Sequence, residues 1–196
     1  MTELAKSEKT RNTILKAGRE LVLAKGFSGV GLKDILSACG VPKGSFYYYF
    51  ESKERFGCEL IEDYIEEYLA TFERITAAEP TGAGKLFSYL GHALPAEGRS
   101  PMCERCLVVK LAAEVSDISE PMRQALSGGV DEITRRLGNV LDLGRRDGSL
   151  TLSGDPLVAA KDLYARWVGA AVLAKLDLSI QPLEQALRDT RERFAT

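Results

Sequence analysis

Apolar residues recur three and four positions apart along this chain, and nowhere do they alternate over the length of a strand. That pattern restricts the fold to helices, because a core-facing strand needs a period of two and a helix a period near 3.6. Ile14, Leu15, Leu21 and Val22, with Ala17 and Gly18, make one stripe over residues 10–25, and Gly26 stops it. Leu32, Ile35, Leu36 and Cys39 mark a short second helix, Gly40-Val41 a tight turn, and Pro42 the first turn of a third helix. Two short helices joined by a glycine-containing turn make a helix-turn-helix.

Ser52 is an N-cap for a long helix to about Ala78, ended by "AAEPTGAG". The remaining pattern predicts a helix over Lys85–Leu94 and an apolar segment over Cys103–Val115. A long helix then starts at Ser119 and Pro121, breaks at Gly128-Gly129 and runs on to Arg146. Asp155-Pro156 opens a helix to Asp177, and Gln181–Phe194 forms the last. The expected fold is all-α, with a three-helix helix-turn-helix domain at 1–52 and a larger helical domain at 53–196.

Composition narrows the function. With one histidine, His92, neither a His-rich metal site nor a His-based triad can be built. No apolar run approaches the length of a membrane span, so no membrane partner is expected. The opening "MTELAKSEKTRNT" is polar, which predicts no secretory leader and a cytoplasmic location. There Cys39, Cys58, Cys103 and Cys106 are expected as thiols. Residues 1–55 hold ten Lys/Arg against six Asp/Glu, while the whole chain carries −2. A basic head on an acidic body fits a polyanion-binding head.

The third helix carries "PKGSFYYYF". On a helical wheel Phe46 and Phe50 stack at i and i+4 and face the interior, while Gly44 and Tyr48 point away. Ser45, Tyr47 and Tyr49 flank them, and Lys43 projects from the N-terminal end. The outer face thus offers a cation, a position without bulk, and phenolic hydroxyls, which suits a DNA groove: Lys to a guanine edge or phosphate, Tyr to phosphates. Packing of the tyrosines on neighbouring helices is the other reading, most evenly matched at Tyr49.

Residues 10–56, from "TRNTILKAGRELVLAKGFSGVG" to "PKGSFYYYFESKERF", resemble the DNA-binding segment of the tetracycline-repressor (TetR) family of bacterial transcription regulators. The resemblance implies a homodimer that represses transcription at a palindromic double-stranded operator until a small molecule binds the C-terminal domain. It places Lys43 and Gly44 at bases, Tyr47 and Lys53 at phosphates, and Lys33 at a base or the backbone. Ser45 and Tyr48 complete the candidate DNA-binding set. Where relatives carry Ser or Thr at the start of the second helix, this chain has Gly31, which can cap but offers no hydroxyl.

In the body, Ala159-Ala160 and Gly169-Ala170-Ala171 allow close helix approach, and the resemblance implies a dimer seam from the last two helices. Trp167 is expected in the core or the interface. Cys103 and Cys106 form a CxxC unit without a second pair for zinc and without the strand setting of a thioredoxin site. A thiol near a helix N-terminus beside Arg105 gains thiolate character. The segment "CLVVKLAAEVSDISEPMR" resembles a TetR subgroup related to the N-ethylmaleimide-responsive repressor, which implies an electrophile-sensing cysteine at Cys106.

Two readings of the pair stand side by side: sensor thiols, or small buried hydrophobes. Cys39 and Cys58 lie on apolar faces and are assigned to packing. Lys175, a lone cation late in an apolar helix, either pairs with a thiolate or snorkels to solvent. No cofactor and no catalysis are expected. The alternative from a different class is a CxxC thiol oxidoreductase or electrophile-detoxifying enzyme, for which neither an orienting base nor a cofactor loop is evident.

Overall fold

The computed structural model describes residues 3–195. Met1 and Thr2, the first residues of the polar opening noted above, and Thr196 lie outside the described residues. Among the described residues ten helices follow one another: α1 Glu3–Lys25, α2 Leu32–Cys39, α3 Lys43–Tyr49, α4 Lys53–Ala77, α5 Gly82–Gly91, α6 Met102–Arg105, α7 Leu107–Ile118, α8 Glu120–Arg146, α9 Pro156–Leu176 and α10 Gln181–Phe194. Among the described residues there is no strand, only an isolated bridge between Ala96 and Arg99. The all-α expectation holds.

The chain forms two compact units. One runs to Glu66 and takes in Lys110–Ser127; the other comprises Glu67–Val109 and the chain from Gly128 onward. In the first, Ile14, Leu15, Val22, Ile35, Phe46, Phe50, Phe56, Leu60 and Leu111 build the core. α1 packs so closely that a Cβ on Gly18 would stand 2.3 Å from the Phe56 ring. In the second, Leu86, Leu107, Ile133, Leu137, Leu141, Leu163, Trp167, Leu183 and Phe194 are buried, and α9 packs on both α6 and α10. Trp167 lies in this core and donates from Nε1 to Thr190 Oγ1 at 3.2 Å.

The helix ends follow from local chemistry. Gly40, in the left-handed region at φ 66°, ends α2 as its N–H reaches Leu36 O. Ser52 Oγ accepts from Arg55 N at 3.0 Å and starts α4. Asp155 accepts from Leu157 N and Val158 N and starts α9, with Pro156 in its first turn.

Two details depart from the sequence reading. α5 begins at Gly82, not at Lys85. Its first N–H groups are satisfied by Asp147, Ser149 and Thr81, and a Cβ on Gly82 would lie 2.1 Å from Gly144 N. The glycines that read as a loop are there because two backbones meet. α8 runs through Gly128-Gly129 without a break. Met122, Leu126, Gly129, Ile133, Leu137 and Val140 stay in one buried register across it, and that burial outweighs about 1 kcal/mol of lost propensity per glycine. The apolar segment 103–115 falls in two helices, broken at Cys106, whose backbone is extended at φ −86° and ψ 115°.

Candidate DNA-binding helix and sensor thiols

α3 is held by its aromatic interior. Phe46 and Phe50 are fully buried and pack with Phe56, with ring centres 5.1–5.5 Å apart. The Arg11 guanidinium lies over the Phe50 ring, 5.8 Å from its centre. This anchoring turns the other face outward: Tyr48 is 77% and Tyr47 54% exposed. Lys43 and Gly44 are exposed too, and the space a Cβ would occupy on Gly44 is empty. Tyr47 rests edge-on against Phe46, and Tyr49, half-buried, edge-on against Tyr48. Ser45 is half-buried on the flank, and Lys33 is exposed on α2.

Lys53 is half-buried at the start of α4. Its Nζ donates to Phe27 O at 3.0 Å and sits 4.6 Å from the Phe27 ring centre. One of its three ammonium donors is thereby committed to the turn between α1 and α2. Gly31 precedes α2 with its N–H bonded to Asp34 Oδ2 at 2.8 Å, so Asp34 takes over part of the capping.

The same turn shows a group that sequence reasoning missed. The Glu114 carboxylate, on α7, accepts from Phe27 N at 3.0 Å and Ser28 N at 2.6 Å. Burial pushes its carboxyl up, but the bonds from Ser28 and Phe27 outweigh this and hold it below the ordinary carboxylate value. Gly26, at φ 81°, approaches so closely that a Cβ would meet Glu114 Oε2 at 2.9 Å. Nearby, Lys110 Nζ donates to Ala24 O at 3.3 Å. Partners 86 and 87 residues apart leave no local signal in a sequence.

The thiols are enclosed. Cys103 is 6% and Cys106 4% exposed. Burial, helped by the Glu104 charge, pushes the Cys103 thiol up, while backbone N–H groups and Lys175 act the other way. Lys175 itself is exposed on α9. Arg105 does not turn to the sulfurs; it donates to Ser100 O and His92 O at 3.0 and 2.6 Å. Cys106 is within electrostatic reach of the Tyr89 and Tyr164 phenols. Burial pushes Tyr89 up to about 12, against the bond to Tyr68, whose hydroxyl is 2.5 Å away. Tyr164 is likewise pushed up by burial, and next by the Cys106 charge.

The small residues of α9 divide differently from the expectation. Ala159, Ala160, Ala170 and Ala171 are buried within the chain. The face left outside carries Val158, Gly169, Val172, Leu173 and Leu176, with Leu176 73% exposed. Among the described residues no cluster of His, Cys, Asp and Glu can hold a metal ion, and no helix is long and apolar enough to cross a membrane.

A three-helix head with a basic, aromatic face on its last short helix, followed by a helical body, defines a helix-turn-helix DNA-binding transcriptional repressor. Comparison with known proteins gives the family. Residues 14–56 match the model for bacterial regulatory proteins of the tetR family, and residues 82–190 match a tetracyclin repressor-like C-terminal domain. The chain belongs to the TetR family. It is 40% identical over 191 residues, 95% of this chain and 94% of the other, to the HTH-type transcriptional repressor NemR of Escherichia coli K12. It is 32% identical to the transcriptional regulator AcuR of Cereibacter sphaeroides, over 94% of this chain and 84% of the other. The crystal structure of reduced E. coli NemR matches with a TM-score of 0.88 at 39% identity, covering 96% of this chain and 98% of that one.

Proposed function

We propose that this repressor works as a homodimer on an approximately palindromic operator and is released when an electrophile or oxidant modifies Cys106. In this reading residues 1–52 bind DNA and residues 53–196 sense the effector and dimerise, in the cytoplasm. Lys43 and Gly44 meet base edges, Tyr47, Tyr48 and Ser45 grip the backbone, and Lys33 and Lys53 flank them. The exposed apolar face of α9 supports the dimer seam. The repressor names of the relatives support regulation rather than catalysis.

The observation that carries the effector reading is the position of Cys106, buried at the break between α6 and α7. Hypochlorite converts its thiolate to a sulfenic acid and is reduced to chloride; N-ethylmaleimide forms a C–S bond as its C=C π bond breaks, and the thiol proton ends on the adjacent carbon. Either product adds volume at a buried sulfur, and the α6–α7 junction is the part that shifts to accept it. α7 is a single helix that also carries Lys110 and Glu114, which hold the end of α1 and the turn after it. Cys103 is the candidate resolving thiol and Lys175 the candidate partner charge.

The test treats the protein with N-ethylmaleimide or hypochlorite, maps adducts by mass spectrometry and follows operator release by gel shift. Wild type should be modified at Cys106 and released, and Cys106→Ser should stay bound. Equal release of both proteins refutes the thiol mechanism.

A further inference from the structure

Most arginines of this chain face a carboxylate; Arg55, Arg123, Arg135, Arg145 and Arg166 all do. The connection from α5 to α6 is built differently. Arg99 Nη1 donates to His92 Nδ1 at 2.8 Å and Nη2 to Leu94 O at 3.1 Å. Its Nε is buried and has no partner among the described residues. Arg105 faces the same segment through Ser100 O and His92 O, both neutral acceptors.

Both guanidinium groups therefore bond to His92, Arg99 at the ring and Arg105 at the carbonyl, and both are held by neutral acceptors alone. Burial, and then the charge of Arg105, lower the Arg99 pKa, and no carboxylate offsets them. His92 is driven down to about 4 by burial, then by Arg99, Arg105 and Arg74, so it is neutral at physiological pH and accepts from Arg99. An uncompensated, partly desolvated cation with an unmade hydrogen bond is costly in a folded protein. It becomes favourable once an anion supplies both the charge and the acceptor, as guanidinium groups do with planar oxyanions.

We propose that the His92–Arg105 segment is an anion site, in which Arg99 Nε and the guanidinium of Arg105 receive the oxyanion headgroup of a small ligand, a carboxylate or a phosphate. This site is independent of the thiol chemistry. Because Arg105 lies between Cys103 and Cys106, its occupancy bears on the same short helix α6.

The experiment titrates inorganic phosphate and, separately, acetate into the protein by calorimetry at constant ionic strength, with chloride as the balancing ion. In parallel, the Arg99 Nε–H resonance is followed by NMR. Wild type should bind at least one of the two anions saturably and shift that resonance, and Arg99→Gln and Arg105→Gln should each weaken binding tenfold or more. Tighter acetate binding assigns a carboxylate ligand, and tighter phosphate binding a phosphate ligand; both support the site. If neither anion binds wild type, or if both variants bind as wild type does, the site does not exist. The resonance decides the matter even if a variant fails to fold: no shift at saturating anion overturns the proposal.

Discussion

Glu114→Gln is the substitution that most directly tests how α7 supports the turn between α1 and α2. The carboxylate receives two backbone N–H groups, Phe27 at 3.0 Å and Ser28 at 2.6 Å. A glutamine keeps one acceptor and points an NH₂ at the other donor. One charge-assisted bond is lost, about 1.5–3 kcal/mol, and the half-exposed setting places the loss near 1.5–2 kcal/mol. For a chain of this size that lowers Tm by about 5 °C.

Operator affinity should fall with it, since the released turn sets the entry to α2 and holds Phe27, on which Lys53 rests. The pH dependence has a definite sign. The folded-state carboxyl titrates below the ordinary value of 4.5, so its stabilisation is complete above that value and disappears as pH falls through the folded pKa. The gap between wild type and Glu114→Gln should therefore close on acidification. Chemical denaturation at neutral and acidic pH, with a gel shift at neutral pH, measures all three effects. A variant within about 0.5 kcal/mol of wild type at neutral pH refutes the reasoning.

Gly82→Ala forces a methyl to 2.1 Å from Gly144 N, where backbone cannot yield, and should cost about 3 kcal/mol or more in denaturant unfolding; a loss under 1 kcal/mol would mean α5 and α8 can part freely. Tyr47→Ala should weaken binding to all DNA, whereas Lys43→Ala should also relax sequence choice, both read by gel shift on operator and scrambled duplexes; unchanged operator affinity of Tyr47→Ala counts against the orientation of α3. Leu176→Glu places a charge on the exposed apolar face of α9 and should shift sedimentation from dimer to monomer; a sedimentation profile identical to wild type removes that face from the seam.

Much of the head was legible because its signals are local. Phe46 and Phe50 lie at i and i+4, so the wheel alone turned them inward and Lys43, Gly44 and Tyr48 outward. Gly40 and Ser52 end and start helices through bonds within five residues. The body was less legible where glycines were concerned. A glycine reads as a break in a sequence, yet Gly82 and Gly144 are there for contact between helices, and Gly129 simply continues a buried stripe.

What the sequence determined by itself, then, is helix after helix and the two faces of α3, since both follow from spacing along one chain. The tertiary structure decided which distant group meets which. Glu114 lies 87 residues from Phe27, and nothing near Arg99 in the sequence says that it would face His92 and Arg105 instead of a carboxylate. Short-range periodicity encodes elements and their buried sides. The partners of a buried charge depend on how the elements pack, and no local pattern carries that.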